Sequence, residues 1–170
     1  MKNLKINKMT TDKFIFFWGG TYSQWCPSTF EIGGVKYNCC EQYMMAQKAL
    51  LFNDIESHKM IMYATSPRDQ KAFGRRVKGF DKDKWEAACR EIVYDANYAK
   101  FTQNPAMMTE LLATGDKEIV EASPEDKIWG IGLHENDARV HDKSQWQGTN
   151  WLGEAIMQVR EKLRTIKIEM

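Results

Sequence analysis

The spacing of apolar and polar positions changes along this chain, from strand-like near the start to helical over most of the rest. Lys13 to Trp18 is a short apolar run of β type that ends at Gly19-Gly20. Thr29 to Tyr37 places Phe30 and Ile32 before Gly33-Gly34, and Val35 and Tyr37 after it, the signal of a compact hairpin. These strands are expected to form a small antiparallel unit at the N-terminus. Glu41 to Phe52 then reads as a first helix. Asn53 or Asp54 is placed to cap a second that runs to about Ala64 through Ile55, Met60 and Ile61. Ser66-Pro67 with Asp69 reads as a cap, a proline in the first turn and a capping-box-like acid, opening a third helix that stops near Gly74.

The longest helix is expected over Lys82 to Gln103. Trp85, Ala88, Cys89, Ile92, Val93 and Ala96 form its apolar stripe. Asn104-Pro105 is placed to cap the next helix and Gly115 ends it. Glu118 to Ala122 reads as a strand and Ile128 to Leu133 as another. His134 to Gly148 is polar with weak periodicity and reads as a surface loop. Asn150 is placed to cap a last helix that turns Leu152, Ala155, Ile156, Val159 and Leu163 inward. The pattern predicts a mainly α fold with a minor β component. It contains no internal repeat or linker, so one compact domain is expected over 13–165, after an N-terminal tail over 1–12.

Composition excludes several functions. A formal net charge of +1 provides no bulk basic field for nonspecific binding to DNA or RNA. A small anionic ligand met by local arginines remains compatible. No run of about 18 apolar residues occurs, so no membrane span is expected. Met1 to Asp12 is polar and lysine-bearing, without a signal-peptide core, and a cytoplasmic location is expected. The cysteines, Cys26, Cys39, Cys40 and Cys89, have neither a zinc spacing nor a disulfide framework and read as free thiols. His58, His134 and His141 form no His-x-x-x-His pattern, so no structural metal site is expected. No cofactor is expected either.

Two stretches carry candidate chemistry. In Glu41 to Ala49, a carboxylate and an amine stand seven residues apart on an apolar helix. At about 100° per residue, seven residues fall within roughly 20° of two full turns, so Glu41 and Lys48 share a face. That arrangement is either a solvated face with a weak salt bridge or a general acid/base beside an amine nucleophile. A desolvated lysine can lose its proton near neutral pH and attack an aldehyde-like carbon. In Glu121 to Gly132, Asp126 either caps a turn or aims a carboxylate into a cleft. Trp129 would be a stacking wall there, and Gly130 and Gly132 would permit close approach of the backbone. Arg75 and Arg76 after Gly74 are either solvated charges at a helix end or a phosphate clamp. Among the aromatic residues, Trp85 and Trp151 read as core, whereas Trp18 and Trp25 lie near glycine-rich turns and read as pocket residues.

Taken in order, these blocks resemble the NADAR/YbiA-like family of N-glycosidases over about Phe16 to Leu163. The resemblance rests on Ser28-Thr29-Phe30, on Glu41 with Ala46-Gln47-Lys48-Ala49, on Gly74-Arg75, and on Trp85 and Arg90. It continues through Lys100 to Pro105, Leu111 to Gly115, Val120 to Asp126 and Ile128 to Leu133, and closes at Gly148 to Gly153. It implies a small, largely helical fold that hydrolyses N-glycosidic bonds. The substrates it implies are phosphoribosylamino-pyrimidines of riboflavin biosynthesis or, in some relatives, ADP-ribosylated guanine in nucleic acid. By the family's pattern Glu41, Lys48 and Asp126 are catalytic positions. The resemblance implies that Trp129 is on a base- or ribose-facing position and Arg75 on the phosphate side; Trp18 and Gly130 are added as binding residues from the glycine-rich turns they lie in or near.

The chain departs from that pattern twice. Ser23-Gln24-Trp25-Cys26 replaces a Ser-Asn-Phe-like step, and Gln42 follows Glu41 where the family usually has histidine. Gln42 cannot titrate near pH 7. Three readings are carried forward: an N-glycosidase for a free ribosylamino-pyrimidine phosphate, an ADP-ribosyl-guanine hydrolase, and a non-catalytic nucleotide-binding module. Near-neutral charge favours the first over the second.

Overall fold

A computed structural model describes residues 13 to 168. The expected tail over 1–12 lies outside the described residues. The fold is mainly helical with two small sheets, and its chain forms two compact units. One runs from Gln24 to Met108; the other combines residues up to Ser23 with those from Thr109 on. Among the described residues no helix is long and apolar enough to cross a membrane.

The chain begins with strand β1 (Phe14–Phe17), which belongs to the second of these units. The Gln24–Met108 unit opens with a hairpin of β2 (Phe30–Ile32) and β3 (Val35–Tyr37), with Phe30 opposite Tyr37. Its two-residue turn places Gly33 at φ 61° and Gly34 at φ 79°, the conformation that a tight hairpin requires and that glycine adopts freely. Helix α1 (Cys40–Leu51) follows. It is enclosed by α2 (Ile55–Tyr63), α3 (Pro67–Gly74) and α4 (Lys82–Gln103). That enclosure explains why α1 is apolar almost all round and buries every residue from Cys40 to Ala46. At Gly74 the end of α3 comes so close that any Cβ would overlap the Met45 side chain.

Two of the expected caps are present: Asp54 accepts from Ser57 N at 3.1 Å, and Ser66 Oγ from Asp69 N at 3.1 Å. Asp81 adds a cap beyond those expected, accepting from Lys84 N at 2.9 Å, whereas the Asn104 amide donates back to Lys100 O at 2.8 Å and to Thr29 O at 3.1 Å. Asp54 also accepts from Lys78 N at 2.9 Å, and these bonds hold its carboxyl down at about 2. The long helix occupies its predicted span of Lys82–Gln103.

The second unit contains β1, β4 (Glu118–Glu121) and α6 (Trp151–Ile168). Helix α5 (Pro105–Ala113) crosses the boundary between the units. Strand β1 does not join the hairpin in an antiparallel unit, as the sequence suggested. It pairs in parallel with β4, Phe14 opposite Glu118 and Phe17 opposite Glu121. Parallel strands need a long crossover, and here the chain between them includes the whole Gln24–Met108 unit. Such distant pairing leaves no local mark in the sequence.

Two other expectations are corrected. Ile128 to Leu133 is not a strand but a series of bends. Its backbone groups bond irregularly: Ile131 N to Glu121 O at 2.9 Å and Gly132 N to Asp126 O at 3.0 Å. His134 to Gly148 is more than a surface loop. It contains 3-10 turns at Ala138–His141 and Lys143–Gln145, and Val140 joins Val120, Ile131 and Leu133 in a core faced by Phe14, Phe16 and Trp146.

The side chain of Asn150 does not cap α6. Asn150 sits at φ 54° and turns its amide onto β4, accepting from Glu121 N at 3.0 Å and donating to Ile119 O at 3.0 Å. Its carbonyl still accepts the first helical bond, from Glu154 N at 3.0 Å. Leu152, Ala155, Ile156, Val159 and Leu163 are buried, as their spacing predicts. Asn150→Ala should strand two backbone groups and lose about 2–4 kcal/mol of stability in urea unfolding. A loss below about 1 kcal/mol would show that the end of β4 does not depend on this amide.

Candidate functional site

In the Gln24–Met108 unit, α1 sets Glu41 in its first turn and Lys48 in its last. The shared face read from their spacing is not a solvated one: Glu41 is buried and Lys48 is half-buried. The Lys48 ammonium lies 4.8 Å from the centroid of the Phe80 ring and 5.6 Å from that of Trp85. Burial lowers the Lys48 pKa below its usual value. The negative charge of Glu41 works against that shift, and the positive charge of Arg75 adds to it. Glu41, Lys48 and Arg75 are thus brought into one electrostatic neighbourhood. Arg75 itself is exposed at the end of α3, where its backbone N donates to Lys71 O at 3.0 Å. Its guanidinium is available to an anion.

The start of α1 is held by amides. Glu41 N donates to Gln24 O at 3.0 Å, and Asn97 Nδ2 donates to Gln24 Oε1 at 2.9 Å. Gln42, the departure from the family pattern, is buried and structural. It accepts from Asn38 N at 2.8 Å and directs Nε2 at the carbonyls of Ile61, Met62 and Ala64 at the end of α2. A recess of about 260 Å³ opens beside it, lined by Tyr37, Asn38, Met62 and Tyr63 among others. Glu41, Lys48 and Arg75 do not line that recess.

Sequence reasoning passed over two residues of this neighbourhood. Lys100 is fully buried, and its charge and that of Glu41 both act on Cys39 and Cys40. The signal was readable: Lys100 stands four residues past Ala96 and so extends the apolar stripe of α4. Phe80 carried no such signal, since it lies in a loop. Trp85, expected in the core, is instead half-buried with its ring toward Lys48.

In the other unit, Trp18 follows β1 and the Asp126 turn follows β4, so both leave the same end of the parallel pair. Asp126 Oδ1 accepts from Ile128 N at 2.9 Å and from Trp129 N at 2.8 Å. Its capping role is therefore present, while Oδ2 accepts no hydrogen bond among the described residues. Gly130 has no room for a side chain. A Cβ there would stand 2.9 Å from Glu121 O and 3.0 Å from Asp126 O.

The turn is laced to the start of α6 by Thr149 N to Lys127 O at 3.0 Å, Asn150 N to Gly130 O at 3.1 Å and Leu152 N to Trp129 O at 3.1 Å. Trp129 packs edge-on against Trp151, with centroids 5.8 Å apart. Trp18 is 48% exposed and lies edge-on to His134 at 5.8 Å. Trp25, in the Gln24–Met108 unit, is also largely exposed, with the Lys71 ammonium 5.8 Å from its ring.

Comparison with known proteins finds relatives over nearly the whole chain. The NADAR domain model matches residues 16–164. The chain is 44% identical to N-glycosidase R617 of Acanthamoeba polyphaga mimivirus, over 91% of this chain and 98% of that one. It is 28% identical to riboflavin biosynthesis protein VVA0006 of Vibrio vulnificus, over 85% of this chain but 36% of that longer protein. The solution structure of Escherichia coli YbiA superposes with a TM-score of 0.78 at 29% identity, covering 94% of this chain and 89% of that one. YbiA too is an N-glycosidase by name.

Two measurements separate structure from chemistry here. Asp126→Asn keeps the acceptor that holds the turn and should unfold within about 0.5 kcal/mol of the parent, whereas Asp126→Ala should lose about 1–2 kcal/mol. Equal losses would mean that the bonds to Ile128 and Trp129 do not hold the turn. For Lys48, the folded pKa lies below the unfolded one. The folded state therefore binds fewer protons between the two values, and stability rises with pH across that window. Below the folded pKa the cost of the buried ammonium is fully present. Lys48→Met should flatten this rise in urea unfolding at a series of alkaline pH values; a parallel profile would contradict the shift.

Proposed function

Because this chain belongs to the NADAR domain family and is an N-glycosidase, we propose that it cleaves the bond between ribose and base in a phosphoribosylamino-pyrimidine of riboflavin biosynthesis. Free base and ribose 5-phosphate are the products. The observation that carries the reading is the half-buried amine of Lys48, pushed toward its neutral form on the helix face that bears a buried carboxylate. The riboflavin name of the Vibrio relative supports the substrate, as does the near-zero net charge.

In this reading the ribosylamine opens: the ring oxygen leaves the anomeric carbon and takes a proton, and the exocyclic nitrogen becomes an iminium. The neutral Lys48 amine adds to that carbon. A proton passes from Nζ to the departing nitrogen, with Glu41 as shuttle, and the carbon–nitrogen bond to the base breaks. Water then adds to the lysine imine, the bond to Nζ breaks, and sugar and free lysine are restored. Substrate and one water give amine and sugar phosphate, with no redox change. Arg75 is assigned to the phosphate. Trp18, Trp129 and Gly130 are assigned to binding of base and ribose. Asp126 is assigned as a further catalytic carboxylate, on the strength of the family pattern.

Incubation with the phosphoribosylamino-pyrimidine and, separately, with ADP-ribosylated guanosine should release base from the first. Borohydride should trap a sugar adduct on Lys48, read by mass spectrometry. Lys48→Ala should abolish both release and adduct, and Glu41→Gln should lower kcat by about 10²–10⁴. Release from the guanosine substrate alone would transfer the activity to ADP-ribosylated nucleic acid. Full activity in Lys48→Ala would rule out the covalent route.

A further inference from the structure

The loop between α3 and α4 carries an aromatic ring whose position core packing does not explain. Phe80 is 48% exposed, yet its ring centroid lies 4.8 Å from the Lys48 ammonium. The loop is anchored on both sides of the ring. Val77 is buried, Lys78 N donates to Asp54 at 2.9 Å, and Asp81 caps α4 directly after the ring. Gly79 at φ 74° makes the bend that brings Phe80 back over α1. Phe52, just past the end of α1, supports the ring from the side, with centroids 5.4 Å apart.

Lys48 therefore has two aromatic neighbours of different kinds. Trp85 is fixed in the first turns of α4 and half-buried. Phe80 is itself 48% exposed and presents its ring to the amine at 4.8 Å.

We propose that Phe80 is a positioning residue for the N-glycosidase reaction: its ring covers the Lys48 amine and keeps water from it. The proposal rests on the nucleophilic role assigned to Lys48. An ammonium without its full hydration is disfavoured, so the cover favours the neutral amine. The face of an aromatic ring also attracts a cation, which works the other way. The two effects are separable, because leucine supplies apolar cover without a ring quadrupole. The ionisable groups that act on Lys48 are Glu41 on its own helix and Arg75 at the end of α3. Helix α4 faces it with Trp85, and Lys84 of the same helix lies over the Phe52 ring at 5.7 Å. Phe80→Ala leaves all of these charges in place and removes both the cover and the attraction of the ring face, whereas Phe80→Leu removes the attraction alone.

The test reads the amine directly, without substrate. Trace labelling with acetic anhydride over a pH series, resolved to the peptide that carries Lys48, gives the midpoint of its titration independently of how exposed it is. In the parent protein Lys48 should titrate below the usual lysine value. Phe80→Ala should move the midpoint up toward that value, and Phe80→Leu should leave it low.

An unchanged or lowered midpoint in Phe80→Ala overturns the proposal. So does an equal rise in both variants, since cover would then not be the cause. The pH dependence of kcat/KM is measured in parallel. Its rising limb should move with the amine, and each unit of displacement lowers the neutral fraction tenfold at fixed pH. If the midpoint moves and the kinetic limb does not, the cover stands and the nucleophilic role of Lys48 fails.

Discussion

Enclosure of α1 is the constraint on which the chemistry of this protein depends. A helix packed against three others has no solvent face for its polar residues. Glu41 and Gln42 are therefore buried at its start, where burial is costly unless each polar group finds a partner. The amides of Gln24, Asn38, Gln70 and Asn97 line this region, and their mutual bonds occupy the donors and acceptors that packing has cut off from water. At the other end of the helix the enclosure loosens. Lys48 emerges there half-buried, two turns along the same face, with aromatic rings in place of water. A fully buried lysine at this point would have needed a closely paired charge, and a fully exposed one would keep its proton.

The turn after β4 meets a different constraint. An irregular segment with buried backbone must satisfy its carbonyls without a strand ladder. Residues 149–152 provide the donors, so the start of α6 and the Asp126–Gly130 turn form one backbone-bonded unit. This explains why Gly148 to Gly153 stands out in the sequence although it holds no reactive group. A side chain at Gly130 would strike Glu121 O and Asp126 O, so the glycine preserves the turn. Asp126 is fixed by the same lacing, and one of its oxygens is committed to Ile128 and Trp129. Any chemistry it performs falls to the other oxygen.

What the sequence disclosed follows the range of the interaction concerned. Caps, the glycine hairpin and the span of α4 depend on residues a few positions apart, and they were legible. The face shared by Glu41 and Lys48 was legible for the same reason. The parallel pairing of β1 with β4 was not, because its partners are about a hundred residues apart and parallel ladders have no turn to announce them. Ile128 to Leu133 has the apolar content of a strand, but its hydrogen bonds are divided among the end of β4, a turn and a helix start rather than running along one ladder. Asn150 was read as a cap from its type and place; only the neighbouring strand explains why its amide turns away. Whether Glu41 and Lys48 were a solvated pair or a desolvated one was open in the sequence, since α2, α3 and α4 decide it.

On the proposed reading, burial also explains which nucleophile this helix offers. Cys40 and Lys48 stand on the same α1, and both are removed from water, the thiol completely. Desolvation disfavours the charged form of any group. For a thiol the charged form is the reactive one, and burial pushes Cys40 up to about 12 and the neighbouring Cys39 up to about 11. At neutral pH both are inert. For an amine the neutral form is the reactive one, and the same loss of water moves Lys48 toward it. One physical cause thus silences the thiols and readies the amine. An amine, unlike a thiolate, can exchange with the nitrogen of a ribosylamine through an imine and be released again by water. The packing of α1 therefore favours, at neutral pH, the amine that the proposed reaction at a nitrogen-bearing carbon requires over the thiols beside it.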